Sequence, residues 1–159
     1  GMIRNHYVGR TFIQPSQAMR DFGVRVKLNP VKPLIAGKKI VIVEDSIIRG
    51  TTSRNRVRHL REGGVKEIHM VVSCPPTRNP CPYGIDFSVR GELIAAEKTT
   101  EKEIASFIGL DSLHYLSLEG MVQATGMPRE NFCLACYNGD YPLMPPKSLG
   151  KFCFECGTL

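Results

Sequence analysis

The stretch KKIVIVEDSIIRGTTSRNRVRHL, Lys38 to Leu60, constrains this chain more than any other. Ile40–Val43 is a continuous β-branched run, the pattern of a strand buried on both faces in a parallel sheet. Two carboxylates, Glu44 and Asp45, end it. From Thr51 or Thr52 a helix can start with a hydroxyl cap and run to Glu62, where Gly63-Gly64 stops it. "EIHMVVS" (67–73) reads as the next strand. Strand, helix and strand in that order form a βαβ crossover, right-handed by the usual rule. The class is α/β.

Acids at the C-terminal end of such a strand sit where open α/β sheets bind ligands. Burying either one unpaired costs several kcal/mol, so both are expected to face a solvated crevice. The turn behind them, Ser46 to Thr52, leads into a helix N-terminus. Its backbone N–H groups, Gly50 and two hydroxyls suit a phosphate. The acids beside it suit sugar hydroxyls or a cation. One loop thus offers a sugar grip followed by a phosphate seat. It is neither a Walker loop nor a dinucleotide GxGxxG. A plain capped strand–turn–helix remains the alternative on these residues alone, because Asp, Ser and Thr are common at such turns.

Around this unit, residues 1–22 read as a mobile polar segment and "VRVKLNP" (24–30) as a half-exposed strand. "NPVKPLIAGKK" is a connector broken by Pro and Gly. "GELIAA", "TEKEIASFIG" and "SLEGMVQATG" read as short helices, with "SLHYLS" as a strand before the last. Beyond Met127 the chain is rich in Cys, Pro and Gly and reads as irregular.

The chain has 159 residues, 42% apolar and 23% charged, which fits one globular domain. No apolar run approaches the roughly 20 residues of a membrane helix. "GMIRNHYVGR" lacks the apolar core of a signal peptide, so a cytoplasmic protein is expected. Gly1 before Met2 leaves open a tag remnant or a start inside a longer protein. The net charge of +6 suits an anionic partner. Arg54, Arg56, Arg58 and Arg61 are expected to form mostly a solvated helix face. Nucleic acid has only charge in its favour, since no aromatic residues interleave that cluster and no nucleic-acid motif is present. Cys133/Cys136 and Cys153/Cys156 are CxxC pairs. Cys74 is expected to be a buried strand-end thiol. Spacing leaves zinc and inert reduced thiols both open. His6, His59, His69 and His114 lie apart and are assigned to no metal.

"VIVEDSIIRGTT" closely resembles the phosphoribosylpyrophosphate (PRPP) signature of type I phosphoribosyltransferases. The form D/E-D-S-I-x-R-G-T-T resembles the amidophosphoribosyltransferase family, which transfers glutamine nitrogen to PRPP. "IRNHYVGRTFIQPSQAMRDFGVRVKLNPV", "CPYGID", "GELIAA" and "NFCLACYNGDYP" continue the likeness, over about residues 2–142.

The resemblance implies a type I phosphoribosyltransferase fold, a parallel sheet flanked by helices. It would be incomplete at its N-terminal side and followed by an irregular Cys/Pro-rich tail. A partial domain over 1–127 is implied, with a flexible loop at about 4–22 and the PRPP loop at 40–52, then a Cys-rich segment over 128–159. Glu44 and Asp45 would bind the ribose hydroxyls and assist Mg²⁺; many relatives have Asp in the first position. Ser46, Arg49, Gly50, Thr51 and Thr52 would hold the 5′-phosphate. Tyr7, Gly9, Arg10, Thr11 and Phe12 would belong to a loop closing over PRPP, with Tyr7 and Arg10 in catalytic roles. Cys81, Cys133 and Cys136 match three ligands of the [4Fe-4S] cluster that some relatives carry. The implied reaction forms 5-phosphoribosylamine from PRPP and glutamine-derived ammonia, opening de novo purine synthesis. A missing N-terminal glutaminase domain, feedback inhibition by purine nucleotides and a homotetramer are implied too. The rival is a non-catalytic nucleotide-binding or regulatory module on the same fold. No nucleic acid or membrane partner is expected.

Overall fold

The computed structural model describes residues 1–5, 28–85 and 90–143. Two short strands, β1 (Met2–Arg4) and β2 (Leu28–Pro30), pair antiparallel. A four-residue helix α1 (Lys32–Ile35) follows. The main sheet then has three strands in the order β3 (Lys39–Glu44), β4 (Glu67–Val72) and β5 (Ser112–Tyr115). Both pairings are parallel, with Ile40 opposite Ile68 and Met70 opposite Leu113. Parallel neighbours require crossovers, and helices supply them. Helix α2 (Thr51–Glu62) joins β3 to β4. A 3-10 turn (Arg90–Glu92), α3 (Ile94–Glu97) and α4 (Glu101–Ile108) lie between β4 and β5. After β5 come α5 (Leu118–Thr125), a second 3-10 turn (Arg129–Asn131) and α6 (Ala135–Asn138).

One core holds these elements together. Ile68, Met70 and Leu113 of the strands meet Val57 and Leu60 of α2 and Ile104 and Ile108 of α4, all nearly inaccessible to solvent. Each such side chain contributes about 1.5–3 kcal/mol by leaving water. Helix α4 is fixed at its start by a reciprocal capping box, in which the Thr100 hydroxyl accepts from Glu103 N–H and the Glu103 carboxylate accepts from Thr100 N–H.

Several sequence expectations need correction. β3 is not buried on both faces: Ile40 and Ile42 pack on the core, whereas Val41 and Val43 are 63% and 73% exposed. Among the described residues all the core helices lie on one face of the sheet, and a period-2 strand then hides only alternate residues. α2 has no hydroxyl cap. Its N-cap is Gly50, left-handed at φ 74°, which makes no side-chain cap bond. Turn geometry satisfied by a glycine displaced the threonine cap. "GELIAA" is split at Leu93, which is fully buried between the 3-10 turn and α3. The segment after Met127 contains a 3-10 turn and a short helix. The arginine face is mixed: Arg54 and Arg58 are exposed, but Arg56 and Arg61 turn to carboxylates of Glu44 and Asp111. Cys74 is buried just beyond the end of β4, as expected.

Candidate functional site

The site is built where β3 ends. Glu44 is its last residue and shares the inward-facing register of Ile40 and Ile42, so its side chain meets α2 and pairs with Arg56. Asp45, one residue on, is exposed, and its carboxylate accepts a hydrogen bond from Ser46 Oγ at 3.2 Å. Adjacent carboxylates thus part company, as strand alternation requires. Asp45 is the acid that faces solvent.

Ser46 to Gly50 form the turn into α2. Ile47 beneath it is buried and anchors it to the core. Gly50 is needed twice. Its φ of 74° is strained for other residues, and a Cβ built there would lie 2.7 Å from Ile94 Cδ1 and 3.4 Å from the Phe107 ring. Ile94 N–H also donates to Ile48 C=O at 2.9 Å, and Arg49 pairs with Glu92 at 2.5 Å. The segment Glu92–Ile94 therefore braces the turn at three points. Thr51 and Thr52, the first residues of α2, are exposed. With no capping side chain, the first-turn N–H groups of α2 keep their donor capacity for an anion.

An open groove of about 620 Å³ begins at Thr51 and runs between α2 and α4 past Arg54, Arg58, Arg61 and Phe107. Arg54 and Lys98 both lie over the Phe107 ring, at 5.0 and 5.4 Å. This groove follows the helices and does not include the acidic end of β3.

Beyond β4, the segment Ser73–Pro80 meets residues around Cys136 and Tyr141. Arg78 and Asn79 N–H both donate to Cys136 C=O at 3.0 Å, and Tyr141 Oη donates to Pro80 C=O at 2.6 Å. Burial pushes the Cys74 thiol up, and the Asp45 charge adds to that shift. Burial likewise pushes up Cys136, with Cys81 and Cys133 contributing, and lifts Tyr137 to about 12. Among the described residues, however, no group of three or more His, Cys, Asp or Glu side chains is arranged to hold a metal ion. As placed, Cys81, Cys133 and Cys136 do not fit a cluster.

The structure places Glu44 at the end of β3, its side chain on Arg56; Asp45, Ser46, Arg49 and Gly50 in the connection that follows; and Thr51 and Thr52 at the start of α2. Tyr7, Gly9, Arg10, Thr11, Phe12, Cys153 and Cys156 lie outside the described residues. Sequence reasoning missed Arg56, Glu92 and Ile94. Arg56 had a partial signal, as it shares with Ser53, Val57 and Leu60 the buried stripe of α2.

Residues 8–93 match the model of the phosphoribosyl transferase domain family. The chain is 56% identical over 151 residues to an amidophosphoribosyltransferase of Synechocystis sp., covering 95% of this chain and 30% of that protein. It is 55% identical over 142 residues to one from Methanocaldococcus jannaschii, covering 89% and 30%. Among solved structures it resembles the glutamine PRPP amidotransferase of B. subtilis complexed with ADP and GMP. That likeness has a TM-score of 0.78 at 49% identity and covers 93% of this chain and 33% of the other. The chain therefore spans about a third of the length of these relatives. Because the matched segment takes in more than half of the residues, including the whole β3–α2–β4 unit and its acidic turn, the chain belongs to the phosphoribosyl transferase domain family.

Proposed function

We propose that the chain is the phosphoribosyltransferase part of a glutamine PRPP amidotransferase. Its product is 5-phosphoribosylamine, made from PRPP and glutamine-derived ammonia in the first step of de novo purine synthesis. The observation that carries this reading is the turn at 45–52: a solvent-facing Asp45 next to an uncapped helix start at Gly50. The first suits ribose hydroxyls and the second the 5′-phosphate. The relatives' names support the same reading.

In the reaction, ammonia displaces pyrophosphate from C1 of the sugar. Charge builds on the leaving group while the ring gains oxocarbenium character, so positioning and electrostatics carry the catalysis. Asp45 orients the ribose from its hydroxyls. The N–H groups of Gly50 to Ser53, with the Ser46, Thr51 and Thr52 hydroxyls, hold the phosphate end. Arg49, in the turn and paired with Glu92, lies beside the phosphate end. Mg²⁺ would neutralise pyrophosphate oxygens, and the Asp45 carboxylate fits such an ion, which takes few protein ligands. Tyr7 and Arg10 are assigned to a segment covering the substrate. The iron–sulfur cluster of some relatives finds no closed ligand set here, and no step runs through it.

The partial transferase domain is placed at 1–127 and the Cys-rich segment at 128–159. A glutaminase domain, a homotetramer, regulation by purine nucleotides and a cytoplasmic location complete the proposal. Among the described residues no helix is long and apolar enough to cross a membrane. The second reading, a non-catalytic nucleotide-binding module, is favoured by the Glu44–Arg56 pair, which engages one of the two acids. Assaying the full-length protein with PRPP, Mg²⁺ and ammonium separates them. Phosphoribosylamine formation supports the enzyme, and PRPP binding without turnover supports the module.

A further inference from the structure

At the candidate site Arg56 pairs with Glu44, and among the described residues Asp45 has no ion pair. The two paired side chains are only 16% and 17% exposed. An unpaired carboxylate there would be costly, and the guanidinium removes that cost. Register accounts for the contact. Glu44 continues the inward row of Ile40 and Ile42, while Arg56 lies on the buried stripe of α2 with Ser53, Val57 and Leu60. Arg56 Nε is buried and has no hydrogen-bond partner among the described residues. The guanidinium is therefore enclosed by protein on the helix side and directed at one carboxylate oxygen, Oε2. Among the described residues Asp45 has only the neighbouring Ser46 hydroxyl on it, and its side chain is exposed.

We propose that Arg56 is a positioning residue that divides the work of the two acids. It holds Glu44 stationary, so that Glu44 offers the ligand one fixed oxygen, while Asp45 alone moves onto ribose hydroxyls or the cation. The inference rests on the proposed PRPP site, and it adds a residue that reaches the ligand only through Glu44. A methionine at position 56 would keep the packing and release the carboxylate. A lysine would keep a charge but lose the planar fork.

The test uses full-length protein with PRPP, Mg²⁺ and ammonium, comparing Arg56→Met, Arg56→Lys, Glu44→Gln, the Glu44→Gln/Arg56→Met double variant and Asp45→Asn. A fixed oxygen lost from the ligand's binding geometry is expected to raise KM for PRPP about tenfold in Arg56→Met, with kcat within about threefold. Arg56→Lys recovers part of that rise. The double variant is no worse than the poorer single variant, since both changes remove one linked function. Three results overturn the proposal while Asp45→Asn still abolishes turnover: KM unchanged in Arg56→Met, a lowered melting temperature as its sole effect, or fully additive single effects. If Arg56→Met does not fold, wild-type KM in a folded Glu44→Gln overturns it equally. Full turnover in Asp45→Asn instead sinks the PRPP site itself.

Discussion

Ile94 occupies the space that any side chain at position 50 would need, with its Cδ1 2.7 Å from the ideal Cβ of Gly50. The turn at the candidate phosphate seat is thus shaped from 44 residues away in sequence, by a segment whose own backbone bonds the turn at Ile48. Gly50→Ala combines left-handed strain with overpacking. It should lower stability by about 1–3 kcal/mol and weaken PRPP binding. Chemical denaturation and PRPP titration of the same variant check both effects.

Glu92 reaches the same turn through Arg49. Both side chains are more than a third exposed, so the pair should add little to stability. Glu92→Gln is expected to change the unfolding midpoint negligibly, a shift below about 0.5 kcal/mol. A large loss of stability would show that the brace is structural beyond what its exposure allows.

Asp111 supplies a pH signature. Its carboxylate accepts from Ile68 N–H at 2.6 Å and pairs with Arg61 at 2.6 Å, and these hold it below the usual carboxylate range. A depressed folded value means the contribution is present above the unfolded value of about 3.9 and lost as pH falls through the folded value. The stability gap between wild type and Asp111→Ala should therefore be widest near neutrality and shrink below about pH 4. Denaturation curves over pH 2–7 read this directly.

The cysteines should differ in reactivity. Cys133 is exposed, whereas burial raises the thiols of Cys74 and Cys136. A thiolate is the nucleophile, so a raised thiol reacts slowly. Among these three, alkylation near neutral pH should mark Cys133 first and Cys74 last, as resolved by peptide mass analysis. Faster labelling at Cys74 would contradict its buried placement.

Much of this architecture is legible in the chain because its signals are local. Ile40–Val43 announces a strand, Gly63-Gly64 a helix end, and "TEKEIASFIG" a helix. The turn at 44–52 is legible for the same reason, since acids, glycine and hydroxyls stand together. What is not legible depends on distance or on a missing neighbour. The Glu44–Arg56 pair needs both strand register and helix phase. The bracing by Glu92 and Ile94 needs the crossover to fold back. The exposure of Val41 and Val43 follows from which face the helices cover, and a β-branched run cannot announce that. The glycine cap of α2 was hidden because Thr51 and Thr52 offer a competing hydroxyl signal.

The account turns on Asp45 as the acid that grips the ribose. Measuring phosphoribosylamine formation from PRPP and ammonium in full-length Asp45→Asn protein tests it most directly, with folding checked by melting temperature. The account predicts a rate lowered by at least about a hundredfold at an unchanged melting temperature. A rate equal to wild type would contradict it.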